Sequence, residues 1–279
     1  MGRIALAIGV LLGLAVLAGC GKEAAVSAKT AGAQKAKERS IFVLSGAGLK
    51  QPMDEIGKVF EAKSGIKVKC TYAGSACLLA QIDTSQQGDC YIPGELFYME
   101  QAKQQGYLTE AKMVAYVIPV IAVSKGNPKR VRGLQDLTRK DVRVGLCDPH
   151  ATALGKQAYT VLEKAGLIAK VKENLTVQAA TVPELGNAIK LGHLDAAIVW
   201  DAVALWYPKD IDIVPIDPKY NEVSTIPVAT LKFSRDPEAA KQFLEFVSSD
   251  EGKAIFKKHG YSLTPTSQLL QGGQSGSGG

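Results

Sequence analysis

Several scarcities narrow the field first. Aromatic residues make up 6% of the chain, and no long run of Lys or Arg occurs. Neither a base-stacking platform nor a nucleic-acid-binding arm is therefore expected. Only 3 histidines are present, and His150, His193 and His259 lie far apart. No Ser/His/Asp order, zinc framework or phosphate loop with Lys can be assembled from the sequence, so it argues against an enzyme. Long apolar runs are scarce too: Ile4 to Leu17 falls short of the ~20 residues a membrane-spanning helix needs. What the chain does have is length. Its 279 residues, 46% apolar and 22% charged with net charge +6, suffice for one large or two medium globular domains.

The N-terminus is a targeting signal. Arg3 supplies its positive end, Ile4 to Leu17 its apolar stretch, and Leu17-Ala18-Gly19-Cys20 follows. A plain secretory peptide ends in small residues without Cys. This box resembles a bacterial lipoprotein signal, which implies cleavage before Cys20 and diacylation of its thiol; a short membrane anchor is the competing reading. The mature protein is then expected outside the cytoplasm, tethered to a bacterial membrane in the periplasmic space or on the outer face of the cell. From Gly21 to Arg39, Val26 is the only large aliphatic residue, so residues 20–39 read as a flexible tether after the signal at 1–19. The Gly/Ser/Gln tail, 269–279, reads as disordered.

Between them, strand and helix patterns alternate. Ser40 to Leu44, the alternation Ile66, Val68, Cys70, Tyr72, then Asp89 to Ile92, Val117 to Val123, Val142 to Leu146, Leu175 to Ala179 and Ala196 to Val199 read as strands. Met53, Ile56, Val59 and Phe60 recur at helical spacing, as do Leu78, Leu79 and Ile82, and Leu154, Ala158, Val161, Leu162 and Ala165. Thr181-Val182-Pro183-Glu184 has capping-box spacing, and Pro237 opens a late helix with Phe243, Leu244 and Val247. Such alternation predicts an α/β fold with mainly parallel sheets, and its length suits two lobes.

Ligands of open α/β sheets bind at the carboxyl ends of strands, against helix N-termini. Four such junctions are small and free of Lys and Arg: Ser45-Gly46-Ala47-Gly48, Ala73-Gly74-Ser75, Ala153-Leu154-Gly155 and Ala180-Thr181-Val182. Each alone is an ordinary turn. Converging, their orphan N–H groups would make an anion site without a cationic side chain.

Ser45-Gly-Ala-Gly-Leu-Lys-Gln-Pro-Met53, Ala73-Gly-Ser-Ala-Cys-Leu-Leu-Ala-Gln-Ile82, Gly88-Asp-Cys-Tyr-Ile-Pro-Gly94, Asp148-Pro149 and Asp195-Ala-Ala-Ile-Val-Trp-Asp-Ala202 come in an order that resembles the molybdate/tungstate-binding proteins of ABC importers. The resemblance runs from about Ile41 to Tyr261. It implies the two-lobed type II periplasmic binding-protein fold, each lobe a mainly parallel sheet flanked by helices, joined by two crossover segments near Val117–Val123 and Thr225–Leu231. Lobe I is expected at 40–118 and 228–268, lobe II at 119–227. It further implies a monomer that closes on a tetrahedral oxyanion, molybdate or tungstate, and hands it to a membrane permease and ATPase, with no cofactor of its own.

Carried over residue by residue, the resemblance places the ligand near Ala47 and Gly48, with Ser45 beside them, and near Ser75, Leu154, Val182 and Trp200. Two positions depart from the family pattern: Gly48 stands where a Ser is usual, and Trp200 where a Tyr is usual. Whether Asp148 or Asp201 enters the cleft stays open, and so does the choice among molybdate, tungstate, sulfate, phosphate or another oxyanion. A second class of reading rests on Cys70, Cys77, Cys90 and Cys147: a cysteine-dependent extracytoplasmic redox or metal-binding lipoprotein. The simpler account of Cys70 and Cys90 is that they fill strand positions as small hydrophobes.

Overall fold

A computed structural model describes residues 39–265. The signal at 1–19, Cys20, nearly all of the tether and the tail at 269–279 lie outside the described residues. The chain runs β1 (Ser40–Gly46), a 3-10 turn at Ala47–Leu49, α1 (Lys50–Ser64), β2 (Lys67–Ala73), α2 (Ser75–Ser85), β3 (Cys90–Ile92), α3 (Leu96–Gln104) and β4 (Leu108–Val117). It continues through β5 (Pro119–Ser124), β6 (Val144–Cys147), α4 (Ala153–Lys164), α5 (Ile168–Glu173), β7 (Leu175–Ala179), α6 (Val182–Lys190), β8 (Ala196–Trp200), α7 (Asp201–Ala204) and β9 (Ile211–Val214). β10 (Ser224–Leu231), α8 (Pro237–Ser248) and α9 (Asp250–Lys258) complete it. Among the described residues, no helix is long and apolar enough to cross a membrane.

Local chemistry sets these boundaries. α1 buries Met53, Ile56 and Phe60 on one face and stops at Gly65, whose φ of 72° suits glycine while its N–H closes on Glu61 O at 2.9 Å. α8 begins where Asp236 accepts the Ala239 N–H at 3.1 Å and Pro237 fills the first turn.

Two five-stranded sheets form, ordered β2-β1-β3-β10-β4 and β7-β6-β8-β5-β9. In the first, β2, β1 and β3 are parallel and β10 is antiparallel to both neighbours. In the second, β7, β6 and β8 are parallel and β5 is antiparallel to β8 and β9. Each sheet is therefore mixed, three parallel strands extended by antiparallel ones. Buried apolar side chains pack against both sheets, Phe60, Tyr91, Phe243 and Phe256 among them at the first and Ile121, Leu146, Leu185 and Ile198 at the second, within one continuous core cluster.

The apolar run Val117–Val123 predicted one strand. It is two strands in different sheets, parted at Ile118. Both halves are buried, so hydrophobicity carries no mark of the change. The break is fixed from elsewhere: Ile118 N–H donates to the Asp201 carboxylate at 3.1 Å, and Asp201 N–H returns to Ile118 O at 3.0 Å. The chain crosses back between β9 and β10. α3, α5 and α9, by contrast, are not among the helices expected from the sequence.

Candidate binding site

All six parallel strands point their carboxyl ends at one hollow between the sheets. β1 delivers Gly46, Ala47 and Gly48; β2 delivers Ala73, Gly74 and Ser75; β3 delivers Gly94. Facing them, Thr152, Ala153 and Leu154 follow β6, Thr181 and Val182 follow β7, and Trp200 ends β8. Ile226 and Tyr261 complete the lining with Leu49. The centre of a water-sized sphere can move through about 20 Å³ of it. That is room for a small ion, not for a nucleotide or a sugar chain.

The first-lobe wall depends on close backbone approach. A Cβ on Gly46 would sit 3.3 Å from Gly94 N, and one on Gly74 only 2.2 Å from Ala151 O of the opposite lobe. At that seam Ala76 N–H donates across to Ala151 O at 3.1 Å. Ser75 is buried, and its Oγ accepts the Gly94 N–H at 3.0 Å. Its own O–H proton is thereby left to donate. Buried Tyr91 donates to Ser75 O at 2.9 Å and holds the turn from behind.

The second-lobe wall is made of helix starts. Thr152 caps α4: its Oγ1 accepts the Gly155 N–H at 2.8 Å and donates to Asp148 O at 3.1 Å. The first-turn N–H groups of Ala153 and Leu154 have no carbonyl behind them in the helix. At α6 the expected capping box works through its acidic end only. Glu184 accepts the Ala180 N–H at 3.1 Å and the Thr181 hydroxyl at 2.8 Å, while Thr181 accepts nothing from the helix. Pro183 has no N–H, so Val182 supplies the leading donor of α6.

Among the described residues, no Lys, Arg, His, Asp or Glu lines the hollow. Both doubtful carboxylates are engaged elsewhere. Asp148 accepts the His150 N–H at 2.8 Å. Asp201, buried at the crossover, accepts N–H groups from Ile118 and Ala202, and burial raises its pKa to about 6 against the pull of those bonds.

Of the residues picked from the sequence, Ala47, Gly48, Ser75, Leu154, Val182 and Trp200 surround this hollow. Ser45 does not; it is fully buried, and its hydroxyl reaches only Gly46 O at 3.5 Å. A Cβ on Gly48 would lie 3.5 Å from the Trp200 ring and 3.4 Å from Val203, so those two side chains occupy the ground beside the glycine. Sequence reasoning missed Gly94, Thr152 and Tyr261. Thr152 had a signal, a hydroxyl just before an apolar helical pattern. Tyr261 had none: it comes from the chain's far end, and its hydroxyl donates to Gly48 O. The four described cysteines are free thiols. Burial pushes Cys147 up to about 12 and Cys90 well above its ordinary value, so neither is an activated thiolate.

The chain is similar to the molybdate-binding protein ModA of Mycobacterium tuberculosis, 27% identical over 252 residues, 89% of this chain and 94% of that protein. Among solved structures, the periplasmic molybdate-binding protein of Azotobacter vinelandii matches at a TM-score of 0.69 and 19% identity, covering 80% of this chain and 99% of that one. The sulfate-binding protein SubI of Mycobacterium tuberculosis matches at 0.73 and 17% identity, covering 83% and 88%. At such identities these two structures establish the two-lobed fold alone. The family model described as bacterial extracellular solute-binding protein matches residues 41–262, and to that family this chain belongs.

Proposed function

We propose that this protein captures a fully deprotonated tetrahedral oxyanion, molybdate or tungstate, between its lobes and delivers it to the permease and ATPase of an ABC importer. The observation that carries the reading is the hollow itself, lined by hydrogen-bond donors and by no charged side chain. A buried dianion must gain a donor for each oxygen. Ser75 offers a hydroxyl, Trp200 an indole N–H, and Ala47, Gly48, Leu154 and Val182 main-chain N–H groups. Helix starts add partial positive charge without a counter-ion that would have to be displaced. Phosphate near neutral pH keeps a proton and needs an acceptor, and no carboxylate faces the hollow. The molybdate-binding relatives support the same choice. With Cys20 lipidated, the protein would work as a tethered monomer outside the cytoplasm.

Calorimetric titration with molybdate, tungstate, sulfate and phosphate tests this. Molybdate and tungstate are expected to bind tightest, sulfate more weakly, and phosphate not at all. Tightest binding of phosphate at neutral pH, or no binding of any of the four, overturns the proposal.

A further inference from the structure

The polar atoms that the hollow does not use include one that stands out. Glu95 Oε1 is buried and has no hydrogen-bond partner among the described residues. Glu95 follows Gly94 directly, on the first lobe, and opens α3. Across the cleft α4 of the second lobe carries Lys156, two residues beyond Leu154. The Lys156 ammonium sits over the face of Phe97, two residues after Glu95. Phe97 is 38% exposed, so this cation–π contact lies at the rim.

We propose that Lys156 is a positioning residue, clasping Phe97 from the opposite lobe, beside the buried Glu95 carboxyl, so that the lobes stay shut over the bound anion. Three features support it. The contact joins two segments that each line the hollow, because Gly94 holds the Ser75 hydroxyl and α4 begins with Ala153 and Leu154. Its members also come from different lobes, so separating the lobes breaks it outright. Finally, the two charges feel one another. Burial raises Glu95 to about 7 and Lys156 draws it back down, while burial lowers Lys156 and Glu95 draws it up.

The energetics suit a device that must reopen. Shutting the lobes strips water from a carboxylate, a penalty that a nearby ammonium only partly offsets. The ammonium gains the ring face in exchange. When the lobes part, both charges regain water, so the clasp biases closure without locking it. A ligand binding both lobes would then supply the remainder.

The inference rests on the anion-capture reading, and its test separates the two. Molybdate affinity and dissociation rate are measured for the unaltered protein, Lys156→Ala, Glu95→Gln and the double variant, with small-angle scattering of each in the absence of ligand. Lys156→Ala is expected to weaken molybdate by about tenfold, chiefly through faster dissociation. Adding Glu95→Gln should restore much of that loss, because no buried charge is then left without its partner. Affinity and dissociation in Lys156→Ala within twofold of the unaltered protein would overturn the clasp. If molybdate fails to bind even the unaltered protein, the anion reading falls and scattering decides. A larger radius of gyration for Lys156→Ala supports the clasp, and superimposable curves overturn it.

Discussion

On its first-lobe side the hollow is reached through glycines, Gly46, Gly48, Gly74 and Gly94, with one buried hydroxyl, Ser75, among them. On its second-lobe side it is reached through the first turns of α4 and α6, with the indole of Trp200 beside them. The first wall brings the main chain close by omitting side chains, most tightly at Gly74 and Gly46, where an added Cβ would meet backbone atoms. The second leaves N–H groups without partners by starting helices, and depends on caps whose hydrogen bonds stay within that lobe. A change on the first wall should therefore disturb the ligand or the closure of the lobes. A change in a second-wall cap should disturb the fold of that lobe more than the ligand.

The largest effect is expected at Gly74. Its backbone, φ −64° and ψ 145°, suits any residue, so Gly74→Ala should leave the first lobe intact. The added Cβ would stand 2.2 Å from Ala151 O, a backbone atom of the other lobe, and the lobes must move apart. Anion affinity should fall by about 100-fold or more, because the closed state becomes a strained minority. Calorimetry gives the affinity, and thermal unfolding without ligand gives the control. Unchanged affinity would mean that the lobes do not need this seam.

Ser75→Ala comes next. It removes the hydroxyl offered to the anion and also orphans the Gly94 N–H. Affinity should fall by about 1–3 kcal/mol, the cost of a lost hydrogen bond to a charged group. Stability without ligand should fall by about 1 kcal/mol. Equal losses in the two measurements would reduce Ser75 to a scaffold for Gly94 and weaken the contrast between the walls.

How far the sequence revealed these walls follows the same division. Second-wall helix starts announce themselves locally, since a small residue or hydroxyl before an apolar helical pattern marks one, and the junctions at Ala153-Leu154-Gly155 and Ala180-Thr181-Val182 are legible that way, while the choice of Leu154 and Val182 as donors comes from the family resemblance. Ser75 was legible too, at the end of an alternating strand. Gly94 and Tyr261 were not. Each acts on a residue far along the chain, Gly94 on Ser75 and Tyr261 on Gly48, 213 positions away. No local periodicity encodes such pairings. The alternation of strands and helices gave away the α/β class, but not that each sheet is mixed. Antiparallel β5 and β10 are buried almost throughout, as are the parallel strands beside them.

The smallest effect on binding is expected at Thr152. Its hydroxyl caps α4 through the Gly155 N–H and lines the hollow, yet both of its hydrogen bonds run within the second lobe. Thr152→Ala should cost about 1 kcal/mol of stability, the usual cost of an N-cap. In a domain of this size that lowers the melting temperature by about 2–4 °C. The first-turn N–H groups of Ala153 and Leu154 stay in place as long as the helix forms, so anion affinity should change by less than about threefold. Ser75→Ala and Thr152→Ala thus cost similar stability and differ in binding. Measured side by side by thermal unfolding and calorimetry, they test the contrast directly. A Thr152→Ala protein that unfolds as the unaltered one does but binds the anion tenfold more weakly would place a side-chain donor on the second wall.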